Sequence, residues 1–455
     1  MISKKILTSC LIITIGLTAA GSLSATTSTD QYSPVQNDNN LPVQDVQRFT
    51  TAINEIKKYY VDDVQDQTLF ENAIRGMLNG LDPHSSYLDP EDFQDLKSHT
   101  SGQFGGLGIE ITSEDGYIRI VSPIDDTPAA KAGLQPGDLI VKIDNIPVQD
   151  MSLTEAVDKM RGPADSKVTL TIYRKSDQKV FNQTLARAII HVQSVKSKLL
   201  EDSYGYIRIS QFQEPTMTNL NDALATLKKD NKGKPLKGLV LDLRNNPGGL
   251  LDSAINVSDA FLDSKKLGNN DLIVYTKGRI PGADYNAHAT PGDLLKGAPI
   301  VVLINGGSAS GSEIVAGALQ DHKRAVIMGT KSFGKGSVQT VLPLDDDSGI
   351  KLTTALYYTP NGRSIQATGI EPDVHVTMMD VKADKNEDMI NMVSVKEADL
   401  EHHIDNSTDA NNQDNASKNA KDGTQPLAVT DYQIYEALNL LKGLNVVKRS
   451  SVAAF

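Results

Sequence analysis

Cysteine is nearly missing from this sequence. Cys10 is the only one, so no disulfide framework and no thiolate metal site can form beyond it. It precedes most of the apolar run in which it lies, a poor place for lipid attachment. Tryptophan is absent and aromatic residues make up 5% of the chain, which removes the stacking platforms that bind single-stranded nucleic acid. Positive charge is short as well: 45 Lys and Arg stand against 57 Asp and Glu, a net charge of −12. No basic stripe is available to neutralise phosphates, so nucleic acid is excluded as the main partner. No histidine pair forms the His-Glu-x-x-His zinc pattern and no Ser-His-Asp set announces itself. No metal and no organic cofactor is implied. Stability must come from packed cores, and 455 residues suffice for two to four domains.

Long apolar runs are limited to one. Lys4 and Lys5 precede an apolar stretch over residues 6–20, followed by small residues up to Ala25. This is short for a spanning helix and reads as an export signal over 1–25, cut near Ala20, Ser24 or Ala25. The expected location is exported: periplasmic, or tethered to the membrane by an uncleaved signal. Residues 26–40 read as a flexible leader.

A helical segment is expected over 41–103. Val43, Val46, Phe49, Ile53 and Ile56 share one helical face, and Leu69, Ala73, Ile74, Met77 and Leu78 share another, closed by Gly80 and Pro83. Residues 81–90 form a proline-punctuated turn. A compact module follows over 104–187. It has a glycine-rich loop at 105–108, short strands around Ile109, Ile111, Ile118 and Ile120, and a brief helix stopped by Gly133. Ser152 and Glu155 form a capping box, and a closing strand is expected at 168–173. Residues 188–379 alternate strand and helix, the pattern of an α/β domain. Strands are expected at 204–209, 238–243, 272–275, 300–305, 325–328, 337–342 and 350–357, and helices at 216–229, 250–262 and 310–320. Residues 380–425, which include His402 and His403, are rich in Asp, Asn, Lys and Ser and read as a disordered linker. In 426–455, Ile434, Ala437, Leu438 and Leu441 make a last amphipathic helix ended by Gly443. Its apolar face needs the core or a second subunit to dock on.

Chemistry concentrates where the strand at 300–305 runs through glycines into a helix. Ser310 stands there, where helix amides converge and favour negative charge. Ser308 and Ser312 compete with it, and as a plain helix cap Ser310 would pair with Glu313 in a capping box. The Gly-x-Ser-x-Gly elbow is not matched, because position 308 is serine. Lys335, in Ser-Phe-Gly-Lys-Gly-Ser, can act as a base only if its pKa falls from about 10.4 towards about 7 to 8. As a rival, residues 329–335 match a phosphate-binding loop up to its last position, but Gly336 stands where Ser or Thr should hold magnesium, and the next segment alternates like a strand. As a plain residue Lys335 would be a surface lysine. Gln339 could orient a lysine amine or be an ordinary strand polar residue. Residues 242–249 end in Pro247-Gly248-Gly249, either a tight turn or a loop that brings amides to a substrate oxygen.

Five ordered segments, at 81–90, 104–109, 242–251, 305–320 and 329–340, together resemble the C-terminal processing peptidases, or tail-specific serine proteases. The resemblance covers about residues 43–378. It implies a crotonase-like (ClpP/crotonase type) α/β catalytic core with an inserted PDZ domain and a helical N-terminal segment. It further implies an endopeptidase in which Ser310 is the nucleophile, Lys335 the general base and Gln339 the residue that orients the lysine. The oxyanion donors would be the Gly311 amide and that of Gly248 or Gly249, a choice left open. The PDZ module would take a substrate tail with Gly106, Leu107, Gly108 and Ile109, and Arg161 would couple its occupancy to the catalytic strand. Partners implied are proteins with apolar, unstructured C-termini, with room for an adaptor protein and for a homo-oligomer. The alternative is a non-catalytic PDZ scaffold that only binds tails.

Overall fold

A computed structural model describes residues 41–379, apart from 125, 150, 281 and 283, and residues 427–452. The readings for 1–25, 26–40 and 380–425, Cys10, His402 and His403 among them, lie outside the described residues. By contacts the chain divides at Phe70.

In the first unit the spacing of Val43, Val46, Phe49, Ile53 and Ile56 does produce a helix, Val43–Tyr59, in which no residue is buried. Phe49 meets Phe70 with ring centroids 6.4 Å apart, and Lys57 pairs with Asp66 at 2.5 Å. Val46, Phe49 and Ile56 remain more than 40% exposed.

The second unit is built around a six-stranded sheet in the order Val195–Leu200, Tyr204–Ile209, Gly238–Asp242, Ile300–Ile304, Ala325–Gly329 and Val374–His375. The first pairing is antiparallel and the others are parallel. Gly238–Asp242 and Ile300–Ile304 are buried at every residue, as strands covered on both faces must be. Alternation divides them between two cores. Leu239, Leu241, Ile300, Val302 and Ile304 pack with the helices Thr216–Asp230, Leu251–Asp259 and Gly311–Asp321. Val240, Val301 and Leu303 pack with Ile434, Ala437, Leu438 and Leu441 of the C-terminal helix Tyr432–Val452. The last helix thus finds its surface on the core.

Gly443 does not end that helix, contrary to expectation: the helix continues to Val452. A glycine inside a helix costs about 1 kcal/mol relative to alanine, a penalty that docking can override. The docked stretch is held here by Asn445, whose side-chain amide donates to the Lys237 carbonyl at 2.9 Å.

A second, antiparallel sheet carries Ser86–Leu88, Gly349–Tyr358, Leu272–Gly278 and Tyr285–His288, with Ser337–Pro343 also paired to Gly349–Tyr358. The strand Ser337–Pro343 begins two residues after Lys335, where a phosphate-binding loop must open a helix. The nucleotide reading fails there.

The inserted module has the strands Ile109–Glu114, Tyr117–Pro123, Leu139–Ile143, Lys167–Arg174 and Lys179–Ala186 in one sheet, with helices Pro128–Lys131 and Leu153–Met160. Lys167–Arg174 is not the closing strand, since Lys179–Ala186 hairpins onto it. Ile120, Ile140, Ile143, Leu170 and Ile172 form the module's own core, each 0% exposed. Its two ends meet as a ribbon, Gln103–Gly106 against Ala188–His191. A module whose entry and exit lie side by side can be inserted without breaking the host fold.

The helix Pro90–Ser101 lies within the segment expected to be helical, although no individual helix was read at these residues. It opens on the Asp89 cap and a proline, a legitimate start, but its weakly amphipathic sequence hid it from the periodicity reading. It forms one wall of the site.

Candidate active site

Hydrogen bonding separates the three serines of the turn. Ser308 and Ser312 are 0% exposed, and their hydroxyls donate to the carbonyls of Leu243 at 2.8 Å and Asn246 at 2.9 Å. Both are structural ties. Ser310 is half-buried and lines a cavity of about 550 Å³. Its backbone sits at φ 53°, ψ −113°, a conformation that costs a non-glycine residue about 1–3 kcal/mol. The sequence did not match the nucleophile-elbow pattern, yet the strained strand-to-helix turn of such an elbow is present.

Gly248 makes this turn feasible. A Cβ on Gly248 would lie 2.7 Å from the Ser310 Cβ, and the φ of Gly248 is +105°. The Gly248 amide donates to Asn246 Oδ1 at 2.9 Å. Gly249, with φ +140°, lines the cavity together with Gly311. Neither the Gly249 nor the Gly311 amide has an acceptor among the described residues.

Lys335 lines the same cavity, with Gln339, Tyr357, His84 and Lys351. Its loop is fixed by Glu313, the third residue of the Ser310 helix, which is 0% exposed. Glu313 Oε1 accepts from the Ser332 hydroxyl at 2.5 Å and the Gly334 amide at 2.7 Å. Its Oε2 accepts from the Ser310 amide at 2.8 Å and the Lys335 amide at 2.9 Å. The expected capping box is formed, but the same carboxylate also anchors the lysine loop. Burial pushes the Glu313 carboxyl up and the four donors oppose this. With both oxygens occupied by donors, the ionised form is the one the site accommodates. Tyr357, buried beneath, donates its hydroxyl to the Lys335 carbonyl.

Burial holds the Lys335 amine below its ordinary value, and the nearby Lys351 charge adds to this, while Asp82 and Glu313 oppose it. His84 is lowered in turn by burial and by Lys335. Asp82 is pushed up by burial, but hydrogen bonds from the Ser85 hydroxyl, the His84 and Ser85 amides and the Thr353 hydroxyl bring it below the usual carboxylate range.

Gln339 also joins this network. Its amide nitrogen donates to Ser337 Oγ at 3.0 Å and Thr353 Oγ1 at 3.2 Å, which ties it to the turn at 81–85 through Thr353. Glu313, Tyr357, Asp82 and Thr353 were all missed as site residues. Only Glu313 carried a local signal, its spacing of three from Ser310.

In the inserted module, Gly106, Leu107, Gly108 and Ile109 line a second cavity of about 170 Å³ with Phe104, Ile111, Val157, Met160 and Arg161. Gly108 has φ +75°, and a Cβ there would meet Thr127 at 2.3 Å. The Arg161 guanidinium binds Asp95 at 2.6 Å and lies over the Phe104 ring. Asp95 belongs to the helix Pro90–Ser101, whose Phe93, Leu96, Lys97, His99 and Thr100 line the Ser310 cavity.

Comparison with known proteins matches residues 203–376 to peptidase family S41, 119–174 to the PDZ domain and 12–92 to the activating protease CtpB N-terminal domain. The chain is 46% identical to the carboxy-terminal-processing protease of Bartonella bacilliformis over 92% of its own length and 94% of that protein. It is 37% identical to carboxy-terminal processing protease CtpA of Bacillus subtilis, covering 73% of this chain and 69% of that one. Among solved structures, the photosystem II D1 C-terminal processing protease matches at 30% identity and a TM-score of 0.42, over 74% of this chain and 94% of that one. The chain belongs to peptidase family S41, and it is a PDZ-containing serine peptidase of the carboxy-terminal-processing kind.

Proposed function

We propose that catalysis runs through a Ser310/Lys335 dyad. The observation that carries this is the pairing in one cavity of a half-buried serine on a strained turn with a lysine whose amine burial holds below its ordinary value. Neutral Lys335 Nζ takes the proton from Ser310 Oγ as Oγ attacks the scissile carbonyl carbon. The resulting oxyanion is received by the Gly311 and Gly249 amides. Gly249 is preferred to Gly248 because the Gly248 amide is already held by Asn246. The Lys335 ammonium then returns its proton to the leaving amine, and water releases the acyl group from Ser310 with Lys335 again acting as base. Gln339, through Ser337 and Thr353, stiffens the wall beside the lysine.

The catalytic region is read as a crotonase-like core, supported by its mainly parallel sheet and the turn of Ile300–Ile304 into the Ser310 helix. The PDZ module selects apolar, unstructured C-termini by adding them as a strand beside 106–109, a reading supported by the cavity there. The enzyme works after export, in the periplasm or tethered to the membrane by its signal, on the strength of residues 1–25. It acts as a homo-oligomer, supported by the exposed Val46, Phe49 and Ile56, and an adaptor protein can deliver substrates to it. Purified Ser310→Ala protein tests the proposal. Cleavage of a tailed substrate should vanish while the far-ultraviolet spectrum and tail binding persist; retained cleavage would refute it.

A further inference from the structure

The catalytic cavity is lined by Lys97, Lys335, Lys351, His84 and His99, and by no aspartate or glutamate. In a chain of net charge −12, a cavity lined by lysines and by no carboxylate is not a by-product of composition. The carboxylates that act on Lys335, Asp82 and Glu313, do not line the cavity, and each is occupied by four donors. Neither Lys97 nor Lys351 has an ion pair among the described residues. Tuning of the base explains Lys351, which acts on Lys335, but not Lys97 or His99, which are not among the charges that act on it. Those two stand on the opposite wall, the helix Pro90–Ser101, with Lys97 exposed over the Phe93 ring. The remaining lining is mostly apolar, including Leu250, Ile314 and Val338. An apolar floor under unpaired amines fits a peptide segment that is apolar at one position and anionic at the next.

We propose that the substrate segment drawn across this cavity carries an aspartate or glutamate side chain beside the apolar residue at the scissile bond, and that Lys97 and Lys351 read that carboxylate. The inference rests on the reading of this cavity as the place of cleavage. It adds a second, internal specificity to the tail recognition assigned to the PDZ module.

The test compares two otherwise identical tailed peptides, one with aspartate and one with asparagine next to the scissile residue, each with a free or an amidated C-terminus. Cleavage of the asparagine peptide, and its loss in Ser310→Ala, reports on the catalytic reading alone. The ratio of kcat/KM for the two peptides reports on this inference. At low salt the aspartate peptide should be favoured about fivefold, as expected for a few partly exposed charge pairs, and about 0.5 M salt should bring the ratio towards one. Lys97→Gln should lower the ratio, and amidation should leave it unchanged. A ratio near one at low salt, a ratio unmoved by Lys97→Gln, or a preference that disappears on amidation would each overturn the proposal, the last by showing that the terminal carboxylate is what the amines read.

Discussion

The backbone amides of Ser310 and Lys335 donate to the same oxygen, Glu313 Oε2, at 2.8 and 2.9 Å. Nucleophile turn and base loop are therefore referenced to one buried point, although 25 positions of sequence separate them. A misplacement of about 1 Å can cost about a hundredfold in rate, so this shared anchor would set the geometry of the proposed dyad.

Glu313→Gln tests the anchor. The substitution keeps the shape but turns one oxygen into a donor that faces donors. A broken buried network of this kind costs about 2–4 kcal/mol. Urea denaturation should show that loss, and kcat should fall about tenfold to a hundredfold while tail binding stays. A variant with normal kcat would remove Glu313 from the positioning role.

The pH profile follows from the sign of the Lys335 shift. The base works when neutral, and its folded-state pKa is lowered, chiefly by burial. Activity is therefore present above that lowered value, which lies below the ordinary lysine value, and is lost as pH falls through it. With substrate saturating, kcat should rise with pH along a single ionisation that lies below about 10.4. Lys351→Gln removes the neighbouring positive charge, so the midpoint should move up. A flat profile from pH 5 to 9, or a midpoint indifferent to Lys351, would contradict this.

Arg161 lines the PDZ cavity and pairs with Asp95 on the helix Pro90–Ser101, other residues of which line the catalytic cavity, and we propose that this pair couples the two. Arg161→Ala should leave tail affinity nearly intact and reduce turnover of tailed substrates towards that of untailed ones. Asp95→Ala should do the same, and the double variant should be no worse than either single one, as expected of residues that act as a unit. Unchanged turnover in Arg161→Ala, measured on a tailed peptide, would separate the two cavities.

The C-terminal helix is clamped by Arg244. Its guanidinium binds Asp242, Asp431 and Gln433 at 2.7 to 3.1 Å. Asp242 is 0% exposed, so this is an interior charge network. Asp431→Ala should destabilise the fold by about 2–3 kcal/mol in chemical denaturation. Full stability in that variant would mean the helix contributes little to the core.

Much of this was legible in the sequence, because the signals were local. The strands 238–243 and 300–305 announced themselves as apolar runs, and the helix after Ser310 by its cap. The missed parts were set by tertiary contact. The helix Pro90–Ser101 has too few apolar residues for periodicity to find, and the docking of Tyr432–Val452 carried the chain past Gly443. Ser308, Ser310 and Ser312 are chemically alike as letters. Only their hydrogen bonds to Leu243 and Asn246 show that two of them are occupied. Tyr357 and Thr353 enter the site from a distant strand, and Gly248 and Gly249 are told apart by their surroundings and by what the Gly248 amide touches, neither of which the letters show.

The central claim is that Lys335 activates Ser310, and acylation measures this most directly. The enzyme would be mixed with an activated peptide ester, and intact-protein and peptide mass spectrometry would follow the adduct in time. The expected result is an acyl group on Ser310 in the wild-type protein and formation slower by about a hundredfold or more in Lys335→Ala. An adduct on another residue, or acylation of Lys335→Ala at the wild-type rate, would contradict the account.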